Sequence, residues 1–245
     1  MATFVAIDKE KLETLRNAAE LNVERLLASC GETNWAGEPF KLHSHLENDL
    51  NLHVWTSSVP GNRLLLFKAE CFFEGFTPSQ VFEFLMDNVK RLEWDKGLCD
   101  LDARIIEDNP TLDHPLNRIV MLRCNTNQVG PITGRDFLDI CAHRCIRQSG
   151  EEDKDVYVSA GSTLEADWLD VLAPVRDGFV RGKNFSGGGW HISPTAAGAK
   201  VTYIIHTDLC GWFLPVIINK AIAGSYEDFF RGALGAISKQ EQEQE

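Results

Sequence analysis

No run of apolar residues in this chain approaches the roughly 18 that a membrane-spanning helix needs. The opening residues, MATFVAIDKEKLETL, turn acidic and basic at once and hold no signal-peptide apolar core. Basic charge is scarce as well: 24 Lys and Arg stand against 36 Asp and Glu, a formal net charge of -12. That balance argues against nucleic-acid binding, which needs clustered cations to neutralise phosphate. It also disfavours standing adsorption to anionic membranes, though not a transient membrane contact through an apolar patch. The seven cysteines are odd in number and form no C-x-x-C, which fits reduced thiols in a cytoplasmic protein. H-E-x-x-H, G-x-S-x-G and the phosphate loop G-x-x-x-x-G-K-[ST] are all missing. Neither a linker-like composition shift nor an internal repeat divides the 245 residues. One domain over 8–239 is expected, with a polar tail over 240–245.

What is present is periodic. Leu12, Leu15, Ala19, Val23, Leu26 and Leu27 fall at helical spacing behind a capping Asp8. LNLHVWTSS and RLLLFKAECFFEG read as a hairpin about the four-residue turn VPGN. TPSQVFEFLMDNVKRLEWD reads as one helix capped by Thr77, with Val81, Phe84, Leu85 and Val89 on its buried face. From Leu101 to about Leu209 the period is two over six runs, the signature of an antiparallel meander. DWLDVLAPVRDG interrupts it as a loop that packs its own apolar residues. Pro215 opens a last helix that carries Gly224, Gly232 and Gly235 in its interior. The fold class expected is α+β, with a curved antiparallel sheet of about eight to nine strands and a long C-terminal helix lying across its concave side.

Candidate chemistry is sparse. CAHRC places Cys141, His143 and Cys145 along a strand, but residues two apart on a strand sit about 6.6 Å from each other and do not converge on one ion. RDFLDI, with Arg135, Asp136 and Asp139, reads as an ion-paired strand edge. SGGGW precedes a strand, so bulges account for it better than a phosphate site. No metal and no cofactor are expected. Asp139 with His143 is the one acid–base pair that an enzymatic reading could use. A curved sheet under a lid helix without a catalytic set favours a non-catalytic carrier of a hydrophobic ligand. A ligand-gated regulatory sensor, a cavity enzyme and a filled-in scaffold are the other readings.

Four stretches, LEWDKGLCDLDARII, GPITGRDFLDI, GFVRGKNFSGG and HTDLCGWFLPVIINKAI, resemble in order and spacing the START domain, the steroidogenic acute regulatory protein-related lipid-transfer domain. Within it the chain is most similar to the small soluble free-standing members and the steroidogenic acute regulatory protein. The resemblance implies a helix-grip fold whose tunnel holds one lipid, such as a sterol or carotenoid, carried between membranes without chemistry by a monomer. It implies a lid facing the ligand through Ile222, Ser225 and Phe229, with Ile218 one turn earlier. It further implies a cavity polar group at Asn184 and a wall strand through Ser159 and Gly161. An acid–arginine pair common in cholesterol-carrying members is replaced here by Leu122 and Cys141. Val120 and Cys124 beside Leu122, and Asp139 and His143 beside Cys141, complete the expected wall. Gly224 and Ser225 are expected to leave room for the ligand beneath the helix. NQVGPITG, DVLAPVRDG and GWFLP, with Trp212, Phe213 and Leu214, are expected to form a membrane-facing rim.

Overall fold

The computed structural model describes residues 7–46, 51–112, 114–128, 132–148, 154–212 and 214–242. Asp8 caps the first helix, α1 (Lys9–Ser29), by accepting from the Lys11 backbone amide. Strands β1 (Lys41–Leu46), β2 (Leu52–Ser57) and β3 (Leu66–Glu74) follow. β2 and β3 pair antiparallel, as their alternation predicts, but Ser57 faces Leu66, so residues 58–65 connect them rather than a four-residue turn. The Leu64 side chain is buried there, which a tight turn would not allow.

The helix expected over TPSQVFEFLMDNVKRLEWD is two helices. α2 (Pro78–Met86) starts with a full capping box between Thr77 and Gln80. Asp87 leaves the helical conformation and its carboxylate accepts from the amides of Val89 and Lys90, which starts α3 (Asn88–Trp94) on a new axis. Val81, Phe84 and Leu85 are buried as expected, whereas Val89 is 75% exposed because the break turns it outward.

The meander then runs through β4 (Leu98–Asp108), β5 (Asn117–Thr126), β6 (Arg135–Ile146) and β7 (Val156–Thr163). The segment expected as a loop holds a short helix, α4 (Asp167–Leu172), that buries Leu169. GFVRGKNFSGGGWHISP divides into β8 (Val180–Arg181), β9 (Lys183–Asn184) and β10 (Gly188–Thr195), and the chain returns through β11 (Gly198–Ile205) and β12 (Thr207–Asp208). The main sheet has the order β1-β2-β3-β11-β10-β7-β6-β5-β4, with β8 beside β6 and a separate β9–β12 pair. Gly189 is forced by that packing: a Cβ there would collide with the Ser159 carbonyl on the neighbouring strand.

The two faces of the sheet bury different helices. On one face α1 packs Leu15, Ala19 and Leu26 against Leu138, Ile140 and Val158. On the other, α2 and the last helix, α5 (Pro215–Gln242), cover Phe67, Cys71, Phe73 and Val201. α5 sends Ile218, Ile222, Tyr226, Phe230, Ala233 and Ile237 inward, a stripe at steps of four and three.

Its glycines divide by surroundings. Gly232 lies against α3, where a Cβ would stand 3.2 Å from the Trp94 carbonyl. Gly224 is exposed and a Cβ would meet nothing within 4 Å, so it makes no space beneath the helix. Gly224→Ala is therefore expected to stabilise the protein by about 0.5–1 kcal/mol, the helix-propensity difference, and Gly232→Ala to gain nothing. Urea denaturation of the two variants checks this; equal gains would refute the packing role of Gly232.

Candidate functional site

Against the sheet lies a cavity of about 130 Å³, lined by residues of the strands and their connections and by Arg91 of α3. Alternation along three adjacent strands builds one wall. β5 contributes Leu122 and Cys124, β6 contributes Asp139 and Cys141, and β7 contributes Ser159 and Gly161. Register aligns them, with Leu122 opposite Asp139 and Cys141 opposite Gly161. Gly161 fits because a Cβ there would stand 2.5 Å from the Cys141 Sγ. Burial pushes the Cys124 thiol up to about 12 and the Cys141 thiol well above its ordinary value, so both are wall atoms rather than nucleophiles.

Asn184 reaches the cavity from β9 and donates from Nδ2 to Asp139 Oδ2 at 2.6 Å. Thr163 Oγ1 donates to Asp139 Oδ1 at 2.8 Å, and the Asn184 amide donates back to Thr163 at 2.9 Å. Thr207 closes the network by donating to Asn184 Oδ1. Burial pushes the Asp139 carboxyl up to about 6 despite Asn184, Thr163 and the more distant Arg181.

The remaining expected residues divide. Ile218 and Ile222 are buried on the inner face of α5, and Phe229 packs its ring on Trp190 and Tyr203, at centroid distances of 5.2 and 5.6 Å, but none of the three lines the cavity. Val120 is buried on β5 opposite Cys141 but does not reach the cavity. Ser225 does not belong to the inner face: it is exposed and donates to the Ile222 carbonyl of its own helix. The inward stripe runs through Tyr226 instead, one residue further on. His143 lies about 13 Å along β6 from Asp139. It sits against Phe82 with ring centroids at 5.7 Å, and burial with Arg118 and Arg144 pushes its pKa down to about 4. Asp139 and His143 therefore form no acid–base pair.

Sequence reasoning missed much of the cavity lining, Arg91, Trp190, Tyr203 and His206 included. Arg91, from α3, donates from Nε to Asp95 Oδ2 at 3.2 Å, both side chains nearly enclosed. Burial opposes its charge, but Asp95 more than compensates and the guanidinium stays firmly protonated. It lies over the rings of Trp190 and Phe229, at 5.8 and 5.6 Å. Trp190 and Tyr203 stack at 3.5 Å and 4°. His206 closes the wall with its ring 4.4 Å from that of Phe185. The cavity thus has an arginine and an acid, but from a helix and β6 rather than from adjacent strands. Arg123, next to Leu122, points to the opposite face and pairs with Asp136 at 2.5 Å. Arg135 uses its guanidinium to hold the Leu209 and Cys210 carbonyls just before α5.

A larger hollow of about 420 Å³ lies between α4 and β8–β9. Glu165, Asp167, Asp170, Arg181 and Lys183 line it together with Leu138, Leu164 and Leu169.

The sequence matches the START domain over residues 19–243. The chain belongs to the START family. Among solved structures, this START domain is similar to human StAR-related lipid transfer protein 5, with a TM-score of 0.73, 19% identity, and 94% of this chain and 99% of that one covered. A STAR-related lipid transfer protein from Xanthomonas axonopodis aligns with a TM-score of 0.60 and 17% identity over 81% of this chain and 98% of that one. Human STARD10 aligns with a TM-score of 0.59 and 15% identity over 97% and 84%. At these identities the likeness is one of fold. No curated protein matches the chain by sequence. Family membership supports lipid binding in general for this START domain, and among its described residues no helix is long and apolar enough to cross a membrane.

Proposed function

We propose that this START domain holds one hydrophobic lipid, a sterol, carotenoid or similar molecule, between its sheet and α5, and carries it through the cytosol between membranes without altering it. The observation that supports this is the cavity wall itself. Asp139 and His206 stand buried, and Arg91 nearly so, beside aromatic and aliphatic side chains in one cavity. Buried polar groups are costly, and a few of them converging in an apolar pocket mark a ligand site.

The cavity is smaller than the roughly 300–1,000 Å³ usual for ligand pockets. A lipid therefore enters by moving the Phe229, Trp190 and Tyr203 rings, and α5 moves with Phe229. Each buried methylene returns about 0.8 kcal/mol, which offsets the parting of the rings. Native mass spectrometry of the purified protein, followed by lipid extraction, should find one unmodified lipid per chain. Protein that holds no lipid and moves none between liposomes would overturn the reading.

The membrane contact belongs to the segment before α5. Trp212 is 102% exposed, and Leu214, Val216 and Ile217 are exposed beside it, so Trp212 does not anchor the helix. Phe213 and residues 129–131 of the expected rim lie outside the described residues. Indole is at home in the membrane interface. Trp212→Ser is expected to slow lipid extraction from liposomes roughly ten-fold, about 1.4 kcal/mol of interfacial burial, and to leave the melting temperature unchanged. A stopped-flow transfer assay reads this, and unchanged rates would remove Trp212 from the contact.

A further inference from the structure

His206 is 3% exposed, and neither ring nitrogen has a hydrogen-bond partner. A buried imidazole with two unspent nitrogens is expensive, because each has lost water and gained nothing. Part of the polar lining around it is already engaged. Asp139, Asn184, Thr163 and Thr207 bond among themselves, and Arg91 is held by Asp95. Packing alone does not call for a histidine beside Phe185, where an apolar ring would lie equally well.

Burial pushes the His206 pKa down to about 4, so the ring is neutral near pH 7 and offers no charge to an anionic head group. The Leu64 carbonyl favours a proton on the ring, although its geometry falls short of a hydrogen bond. A proton held towards Leu64 leaves the second nitrogen with a free lone pair. A lone pair selects a donor, and the donor compatible with an otherwise apolar ligand is a hydroxyl.

We propose that His206 is the specificity-determining residue of the cavity, accepting a hydrogen bond from a hydroxyl on a neutral lipid. The proposal rests on the reading of the cavity as a lipid site and adds to it the polar group that the lipid must carry. A ligand without the hydroxyl leaves His206 as unsatisfied as it is in the empty protein. One that supplies it gains the net worth of a single hydrogen bond, roughly ten-fold in affinity.

The test uses two probes that share one body, radiolabelled cholesterol and its methyl ether, each delivered from cyclodextrin to the full chain. The wild type should bind cholesterol roughly ten-fold tighter than the ether. His206→Phe should bring the two affinities together while holding the ether as well as the wild type does. His206→Gln, which keeps an acceptor, should retain the preference for cholesterol. A purely structural histidine would shift both affinities alike and leave their ratio unchanged, which would overturn the proposal. A wild type that binds both probes equally would also overturn it and leave the carrier reading standing. A wild type that binds neither would overturn the proposal, while the carrier reading stands or falls on the lipid extraction. A nitrogen-15 spectrum of the wild-type imidazoles gives a readout that needs no variant: cholesterol should shift the acceptor nitrogen of His206 and the ether should not. Absence of that shift in cholesterol-loaded protein would overturn the assignment.

Discussion

Asp136→Ala is expected to destabilise the protein by about 3–5 kcal/mol, the usual cost of leaving buried cations without their anion. Asp136 is 0% exposed and serves three groups. It accepts from Arg123 Nε at 3.0 Å and from the Arg176 backbone amide at 3.0 Å, and Arg181 Nη1 lies 3.2 Å away. Without the carboxylate, two guanidinium groups, only 16% and 20% exposed, face each other across the vacated position. For a chain of this length each kcal/mol moves the melting temperature by about 2–4 °C, so a fall of roughly 6–20 °C should appear in a thermal scan. The loss should also have a location. Arg123 donates to the Pro174 carbonyl at 2.7 Å and Arg181 to the Ala173 carbonyl at 2.6 Å. The same two side chains thus hold the α4–β8 connection against β5 and β6. Hydrogen exchange in Asp136→Ala should rise first over residues 173–178, and Asp136→Asn, which keeps an acceptor for Arg123, should lose less. A cost below about 1 kcal/mol would place the cluster with surface ion pairs of little weight.

The ionic reading of RDFLDI holds for Asp136, whereas Asp139 is hydrogen-bonded to Asn184 and Thr163, and Arg135 to backbone carbonyls. The family resemblance put Leu122, Cys141, Ser159 and Gly161 on the cavity wall, and period two along β5 and β6 puts Cys124 and Asp139 on the same face. Where periodicity leaves two solutions, choice enters. On α5 both the 222-225-229 row and the 218-222-226-230 row have helical spacing. The resemblance favoured the first, while burial follows the second, whose Tyr226 and Phe230 carry far more apolar surface than Ser225. That signal was present in the residue sizes. The α2–α3 break was legible in kind, since Asp followed by Asn is a cap, yet the apolar spacing runs smoothly through it and hides the turn that exposes Val89 and brings Arg91 inside. An arginine in VKRLEWD reads as solvated surface until Trp190 and Phe229 are found beneath it. The unsatisfied state of His206 depends on what does not surround it, a property of packing between distant strands that no local pattern encodes.

Asp139→Asn is expected to raise stability, and by an amount that depends on pH. Burial disfavours the charged carboxylate in the native state and lifts its pKa from 3.8 to about 6, so the folded protein holds this proton more tightly than the unfolded chain does. The sign follows. The native state is favoured fully below the unfolded value, and that favour is lost as pH rises through about 6. At pH 7.5 the ionised Asp139 costs on the order of 2–3 kcal/mol. Asparagine has no charge to desolvate, and the network can absorb it. A rotation of the Asn184 amide lets its oxygen accept from the new Nδ2 and its nitrogen donate to Thr207, while Thr163 continues to donate. Asp139→Asn should thus melt roughly 4–12 °C above the wild type at pH 7.5, with the gap closing towards pH 4. A pH-independent difference would mean that shape, not charge, sets the effect. The direction of the gain bears on the carrier reading. Asp139 joins Asn184 and Thr163 at a cost in stability at neutral pH, and it faces the same cavity as His206. Stability given up at a site is the usual companion of function there. Asp139→Asn should therefore be the more stable protein and the less discriminating binder, which calorimetry and lipid extraction on one preparation would read together.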